Sequence, residues 1–183
     1  MYSEIERHLL QDERPSEFLS TSGILPELKE TPQNPVHHPE GNVWNHTLLV
    51  IDKAASRRDE SRNPRVFMWA ALLHDIGKPA TTMMRDGRLT AYGHDKVGAK
   101  LAYDFLVDYD PVLAKDVSIL VRWHMQIFFI AMDRPYADIK TMKSQADVNE
   151  VALLGICDRL GRLNVNEKAE LDRLALFWDK IRD

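Results

Sequence analysis

The sequence predicts an all-α fold with at most one small β-hairpin. Three observations predict it. Apolar residues recur at helical spacing along most of the chain. Capping residues and Pro stand where those runs begin, as in Asn63-Pro64 and Asp110-Pro111. Only one stretch carries a tight-turn signal between short apolar pairs: Asp86-Gly87, flanked by Met83-Met84 and Leu89-Thr90.

Taken in order, Ser3 to Gln11 reads as an amphipathic helix with Ile5, Leu9 and Leu10 inward and Ser3 as its cap. Pro15 to Leu19 suits a further helical turn, and Thr31 to Pro39 is a loop rich in Pro and Asn. Val43 to about Arg58 forms a longer helix that carries His46. The helix after Asn63 is apolar nearly all round, so it should be central. It runs into His74-Asp75; Gly77 should stop it and Pro79 should prevent its resumption. A small β-hairpin or an irregular loop fits near residues 82–91. Helices then cover Asp95 to Val107, and Pro111 to about Trp123, with His94 just ahead of the first and His124 at the end of the second. Gln126 to Ala131 is a short apolar segment, and Tyr136 to Met142 suits a short helix. Ala146 to Leu160 and Glu167 to Ile181 complete the set, the last with Leu171, Leu174, Ala175 and Trp178 inward. Residues 1–35 should be a helical lead-in packed on a core domain of residues 36–183.

The bulk composition narrows the function. The 183 residues suit one sizeable core, and 44% hydrophobic with 28% charged residues is an ordinary globular balance. A formal net charge of -4 argues against broad, non-specific nucleic-acid binding but leaves room for a local basic pocket. Cys157 is the only cysteine, which excludes an internal disulfide and a Cys-based zinc site and fits a reducing setting. No signal peptide and no apolar run long enough to span a bilayer is apparent, so the expected location is the cytoplasm.

Polar residues stand where core is expected: His46, His74 with Asp75, His124 and Asp158, with His94 beside a helix start. Asp158 lies seven residues after Val151 and four after Leu154, so it projects near the apolar side of its helix. A buried carboxylate needs a cation or donors. Arg159 and Arg162 look poorly placed to provide one, and a metal ion would suffice. Imidazole with carboxylate suits Zn, Fe, Mn, Co, Ni or Mg.

This order of His46, His74-Asp75 and a distal Asp158 resembles the HD superfamily of metal-dependent phosphohydrolases. The resemblance implies one divalent ion held by His46, His74, Asp75 and Asp158. His94 and His124 resemble the extra histidines of the binuclear branch, in which Asp75 would bridge two ions. The segments His38-Pro39-Glu40-Gly41-Asn42-Val43-Trp44-Asn45-His46-Thr47, Ala71 to Pro79, Tyr92 to Asp95 and Cys157 to Arg162 resemble, more closely still, the HD domain of bacterial CCA-adding tRNA nucleotidyltransferases. Nothing ahead of Arg14 can supply that family's nucleotidyltransferase head, so the HD module is expected to act without adding CCA.

The resemblance implies phosphohydrolase activity on nucleotides or RNA-end phosphates, including 2′,3′-cyclic and 2′-phosphates. Asp75, Lys78 and His124 are the expected catalytic residues, and His38, Lys78, Arg122 and Arg162 the expected substrate contacts. Two other readings stay open on the ligands alone: a binuclear-iron oxygenase similar to inositol oxygenase, and a non-catalytic, metal-containing RNA-interaction module.

Overall fold

The computed structural model describes residues 1–182. Its helices are α1 (Tyr2–Gln11), α2 (Pro15–Leu19), α3 (Pro26–Lys29), α4 (Val43–Ala55), α5 (Pro64–Leu73), α6 (Lys78–Thr81), α7 (His94–Leu106), α8 (Pro111–Trp123), α9 (Gln126–Ala131), α10 (Ile139–Gln145), α11 (Val148–Leu160) and α12 (Glu167–Arg182). The expected hairpin is present as β1 (Met83–Arg85) and β2 (Arg88–Thr90), paired Met83 with Thr90. Asp86 and Gly87 both take positive φ, 47° and 71°, as a two-residue turn of this hand requires. No described helix is long and apolar enough to cross a membrane.

Helix α5 is the axis of the core. Every residue from Val66 to Leu73 is buried, and α1, α4, α7, α8 and α11 all pack on it. Burying a side chain of the Leu, Phe or Met class stabilises the fold by about 1.5–3 kcal/mol, so this single helix contributes heavily. Asn63 caps it and Pro64 opens it, as the sequence predicts. Asp110 caps α8 by accepting from the Val112 and Leu113 N–H groups.

Several expectations need correction. Helix α1 starts at Tyr2, which leaves Ser3 inside it and without a capping role. Helix α4 stops at Ala55; Arg58–Glu60 is a separate 3-10 turn. The segment expected to be helical over Tyr136–Met142 begins only at Ile139, where the Asp138 side chain accepts from Thr141 N–H, and α11 begins after Asp147 for the same reason. His94 lies inside α7 rather than ahead of it. Gly77 has right-handed helical geometry (φ -81°), and Pro79 sits in the first turn of α6, so the chain bends and resumes instead of stopping.

Helix α12 keeps part of its expected face, with Leu174 and Trp178 half-buried against the core. Phe177 and Ile181 are buried, whereas Leu171 is 46% exposed and Ala175 faces solvent. Glu170 also turns inward, buried in ion pairs with Arg159 and Arg173.

The start of α4 positions His46. Asn42 accepts a hydrogen bond from Asn45 N–H at 2.8 Å. Its Ala variant should lose about 1 kcal/mol of stability, read as a lower urea midpoint with an unchanged slope.

Candidate metal centre and its cleft

Five helices bring the polar residues together. His46 comes from α4, the His74-Asp75 pair from the end of α5, His94 from the start of α7, His124 from the residue after α8, and Asp158 from the last turn of α11. His46 and His74 are fully buried, and Asp75 and His124 are 1% exposed.

The imidazoles are oriented alike. His74, His94 and His124 each donate from Nδ1 to the carbonyl three residues upstream, on Ala71, Ala91 and Val121, at 2.7–2.8 Å. A carbonyl only accepts, so the proton is on Nδ1 and Nε2 presents its lone pair to the centre. His46 places Nδ1 3.0 Å from Glu40 Oε1 and Nε2 2.9 Å from Asp158 Oδ1.

Asp75 divides the centre in two. Its Oδ2 lies 3.2 Å from His74 Nε2 and 3.8 Å from His46 Nε2. Its Oδ1 lies 3.4 Å from His94 Nε2 and 4.0 Å from His124 Nε2. Two His/Asp groups that could hold a cation therefore share this carboxylate: His46, His74 and Asp75, and Asp75, His94 and His124. His74 Nε2 and Asp75 Oδ2 are buried without a hydrogen bond, although Lys78 Nζ forms an ion pair with that oxygen at 2.6 Å. His94 and His124 face each other, Nε2 to Nε2, at 3.3 Å. Two lone pairs at that distance need a positive centre between or beside them. This donor set fits divalent metal ions.

The electrostatics agree. Burial pulls the His124 imidazole down to about 4, with His94 and His74 adding to the effect, so it stays neutral at pH 7, as a ligand must. His94 is lowered chiefly by burial as well. Burial opposes the charge on Asp75 and Asp158 too. Around Asp75 the neighbours His74 and Lys78 overcome it, and around Asp158 Arg162 and His46 do, so both remain carboxylates. For His74 burial is likewise outweighed, here by the Asp75 charge, and the proton is held more tightly than usual. The site that favours a proton there also favours a metal ion.

A cleft of about 1240 Å³ opens over this centre. His38, Asp75, Lys78, His94, Arg122, Asp158 and Arg162 line it, while His46, His74 and His124 lie beneath its floor. Lys78 is also bonded to Gln33 Oε1 at 2.6 Å. Arg122 is paired with Asp95 at 2.5 Å, which holds it at the wall. Arg162 reaches Asp158 Oδ1 at 3.4 Å, contrary to the expectation that it could not. Its position four residues on, just past the helix end, is the ordinary spacing for such a pair. Arg159 turns away to Glu170.

Glu40 escaped the sequence reading. It is 8% exposed and lies between His38 Nδ1, at 2.9 Å, and His46 Nδ1. Despite the cost of burial, these two imidazoles hold its pKa far below the usual carboxylate range. The only signal for it was its place two residues after His38 in a Pro-flanked loop.

Fold and centre define a helical protein with a candidate metal site, and the chain belongs to the HD domain family, whose model matches residues 43–176. Among curated relatives it is similar to the multifunctional CCA protein of Halorhodospira halophila, at 36% identity over 68% of this chain and 31% of that one. The A-adding tRNA nucleotidyltransferase of Deinococcus radiodurans is 36% identical over 55% of this chain and 24% of its own length. The multifunctional CCA protein of Aromatoleum aromaticum is 28% identical over 97% of this chain and 46% of its own. The chain thus spans between about a quarter and a half of the length of these relatives.

Proposed function

We propose that this chain is a metal-dependent phosphohydrolase acting on nucleotides or RNA-end phosphates, 2′,3′-cyclic and 2′-phosphates among them. The observation that carries the reading is the divided Asp75 carboxylate, with two imidazole Nε2 atoms facing each oxygen. His46, His74, Asp75 and Asp158 would hold one divalent ion, and Asp75, His94 and His124 a second; Mn, Ni, Co, Mg, Fe and Zn all suit the donors. When bound, such an ion supplies a hydroxide nucleophile at neutral pH and positive charge against a phosphoryl oxygen.

The chain's own groups do the rest. Lys78, fixed by Gln33 and Asp75, sets a cation on the cleft floor for an equatorial oxygen of the transition state. Arg162 and Arg122 line the same cleft and can orient the ester. Mutual facing of His94 and His124 supports ligand roles for both, so the leaving-oxygen proton falls to His38. Burial holds His38 at about 4, against the pull of Glu40, and the charge of a bound phosphoester would raise it. Residues 1–35 would serve as a lead-in, which the packing of α1, α2 and α3 on α4 and α5 supports. The similarity to an A-adding tRNA nucleotidyltransferase and to multifunctional CCA proteins supports an RNA end as substrate.

Metal analysis combined with a phosphoester panel tests the reading. Chain loaded with Mn, Ni, Co or Mg should release phosphate or open a cyclic phosphate. Iron-dependent oxygen consumption without phosphate release would favour the oxygenase. Tight metal without turnover, with an RNA-dependent mobility shift, would favour the interaction module.

Glu40→Gln keeps the shape beside His46 but removes the charge. It should weaken metal binding by about 10–100-fold, as loss of a carboxylate behind a ligating His does, measured by competition with a chelating dye.

A further inference from the structure

The cleft is larger than a phosphate needs. About 1240 Å³ exceeds even the roughly 300–1,000 Å³ of ordinary small-molecule sites. Lys and Arg outnumber Asp along its walls two to one, in a chain whose net charge is -4. Beyond the polar floor one wall is aromatic: Phe128, Phe129 and Tyr136. The centroids of Phe129 and Tyr136 are 5.6 Å apart, and Tyr136 is 61% exposed. The Arg134 and Arg159 guanidinium carbons stand 5.5 and 5.2 Å from the centroid of Phe128.

This wall is built in advance. The buried Gln126 side chain donates to Tyr136 O and accepts from Asp138 N–H, and Arg134 N–H donates to Phe129 O. These bonds fasten the 134–138 loop to α9. Arg159 is held by both oxygens of Glu170. Among the described residues, Arg134 has no carboxylate partner. The wall is joined to the metal centre on two sides: α9 begins two residues after His124, and Arg159 follows Asp158.

We infer that Phe128, Phe129, Tyr136 and Arg134 form a nucleobase subsite, which stacks the base of the nucleotide whose phosphate enters over Asp75. Aromatic and guanidinium planes stack any base by its π face, with little sequence preference. The inference rests on the phosphohydrolase reading for the position of the phosphate, and it deepens that reading by requiring a base on the substrate.

The test is equilibrium titration of the full chain with a 2-aminopurine ribonucleotide, whose fluorescence is quenched on stacking. Quenching is expected, with affinity reduced roughly tenfold in Tyr136→Ala and restored in Tyr136→Phe. Tyr136 is exposed, so this variant does not disturb the core. Absence of quenching, or an unchanged affinity in Tyr136→Ala, would overturn the subsite. In parallel, the ratio of kcat/KM for a base-bearing ester over its abasic counterpart should fall towards one in Tyr136→Ala. Equal turnover of both esters by the parent chain, without quenching, defeats the subsite and leaves the phosphohydrolase standing. Quenching that responds to Tyr136 without hydrolysis by any metal form defeats the phosphohydrolase and leaves the subsite standing.

Discussion

Replacing Asp75 by Ala should empty both halves of the metal centre and lower phosphoester kcat/KM by roughly 10³-fold or more, since losing even one oriented transition-state donor costs about 10²–10³. The carboxylate is the single group shared by the two halves, with Oδ2 towards His46 and His74 and Oδ1 towards His94 and His124. Its loss leaves Lys78, among the described residues, only Gln33 as a partner at the cleft floor. Breaking a buried pair by removing one member can itself destabilise a protein by about 3–5 kcal/mol. Asp75→Asn is therefore the paired variant, because it keeps the volume and one acceptor oxygen. Both should lose bound metal by elemental analysis, with Asn retaining more of the fold by circular dichroism. Full activity in Asp75→Ala would sink the metal-centre reading entirely.

The fold was legible where one physical signal dominated. The apolar run from Val66 to Leu73 pointed to a central helix, and Asp86-Gly87 gave a strong tight-turn signal. Asp158 stood out because a carboxylate on an apolar helix face demands a partner. Groups placed by irregular backbone stayed hidden. Glu40 and Gln33 lie in the loop ahead of α4, and no periodicity reports where a loop returns. The face of α12 was legible only in part, at Leu174 and Trp178: hydrophobicity also weighed Leu171 and Ala175 but could not weigh the two arginines that pair with the buried Glu170. The aromatic wall was equally obscure, since Phe128 and Phe129 read as ordinary apolar residues until α9 and the 134–138 loop are seen to meet.

Gly77 was legible as a residue but not as a reason. Its backbone is in the ordinary right-handed region, so Ala is conformationally allowed there. A Cβ, however, would stand 2.2 Å from His94 O and 2.6 Å from Gly98 N. Both atoms belong to the backbone of α7 and cannot rotate away, so the helix itself must move. The turn after Asp75 crosses α7 this closely because Gly77 meets a second glycine, Gly98. Gly77→Ala should lower stability by about 3 kcal/mol, at the upper end for overpacking, measured by urea denaturation. Gly98→Ala should be milder, because its own Cβ would meet nothing nearer than 3.3 Å. The displacement should also be directional. Helix α7 carries His94 and packs along α8, which leads to His124, whereas His46, His74 and Asp158 stand on other elements. Metal content in Gly77→Ala should therefore fall by about half, because Asp75, His94 and His124 would no longer hold an ion while His46, His74, Asp75 and Asp158 still would. Retention of full metal content and stability would show that α7 yields at this crossing without moving His94, and that the close approach does not set the spacing across Asp75.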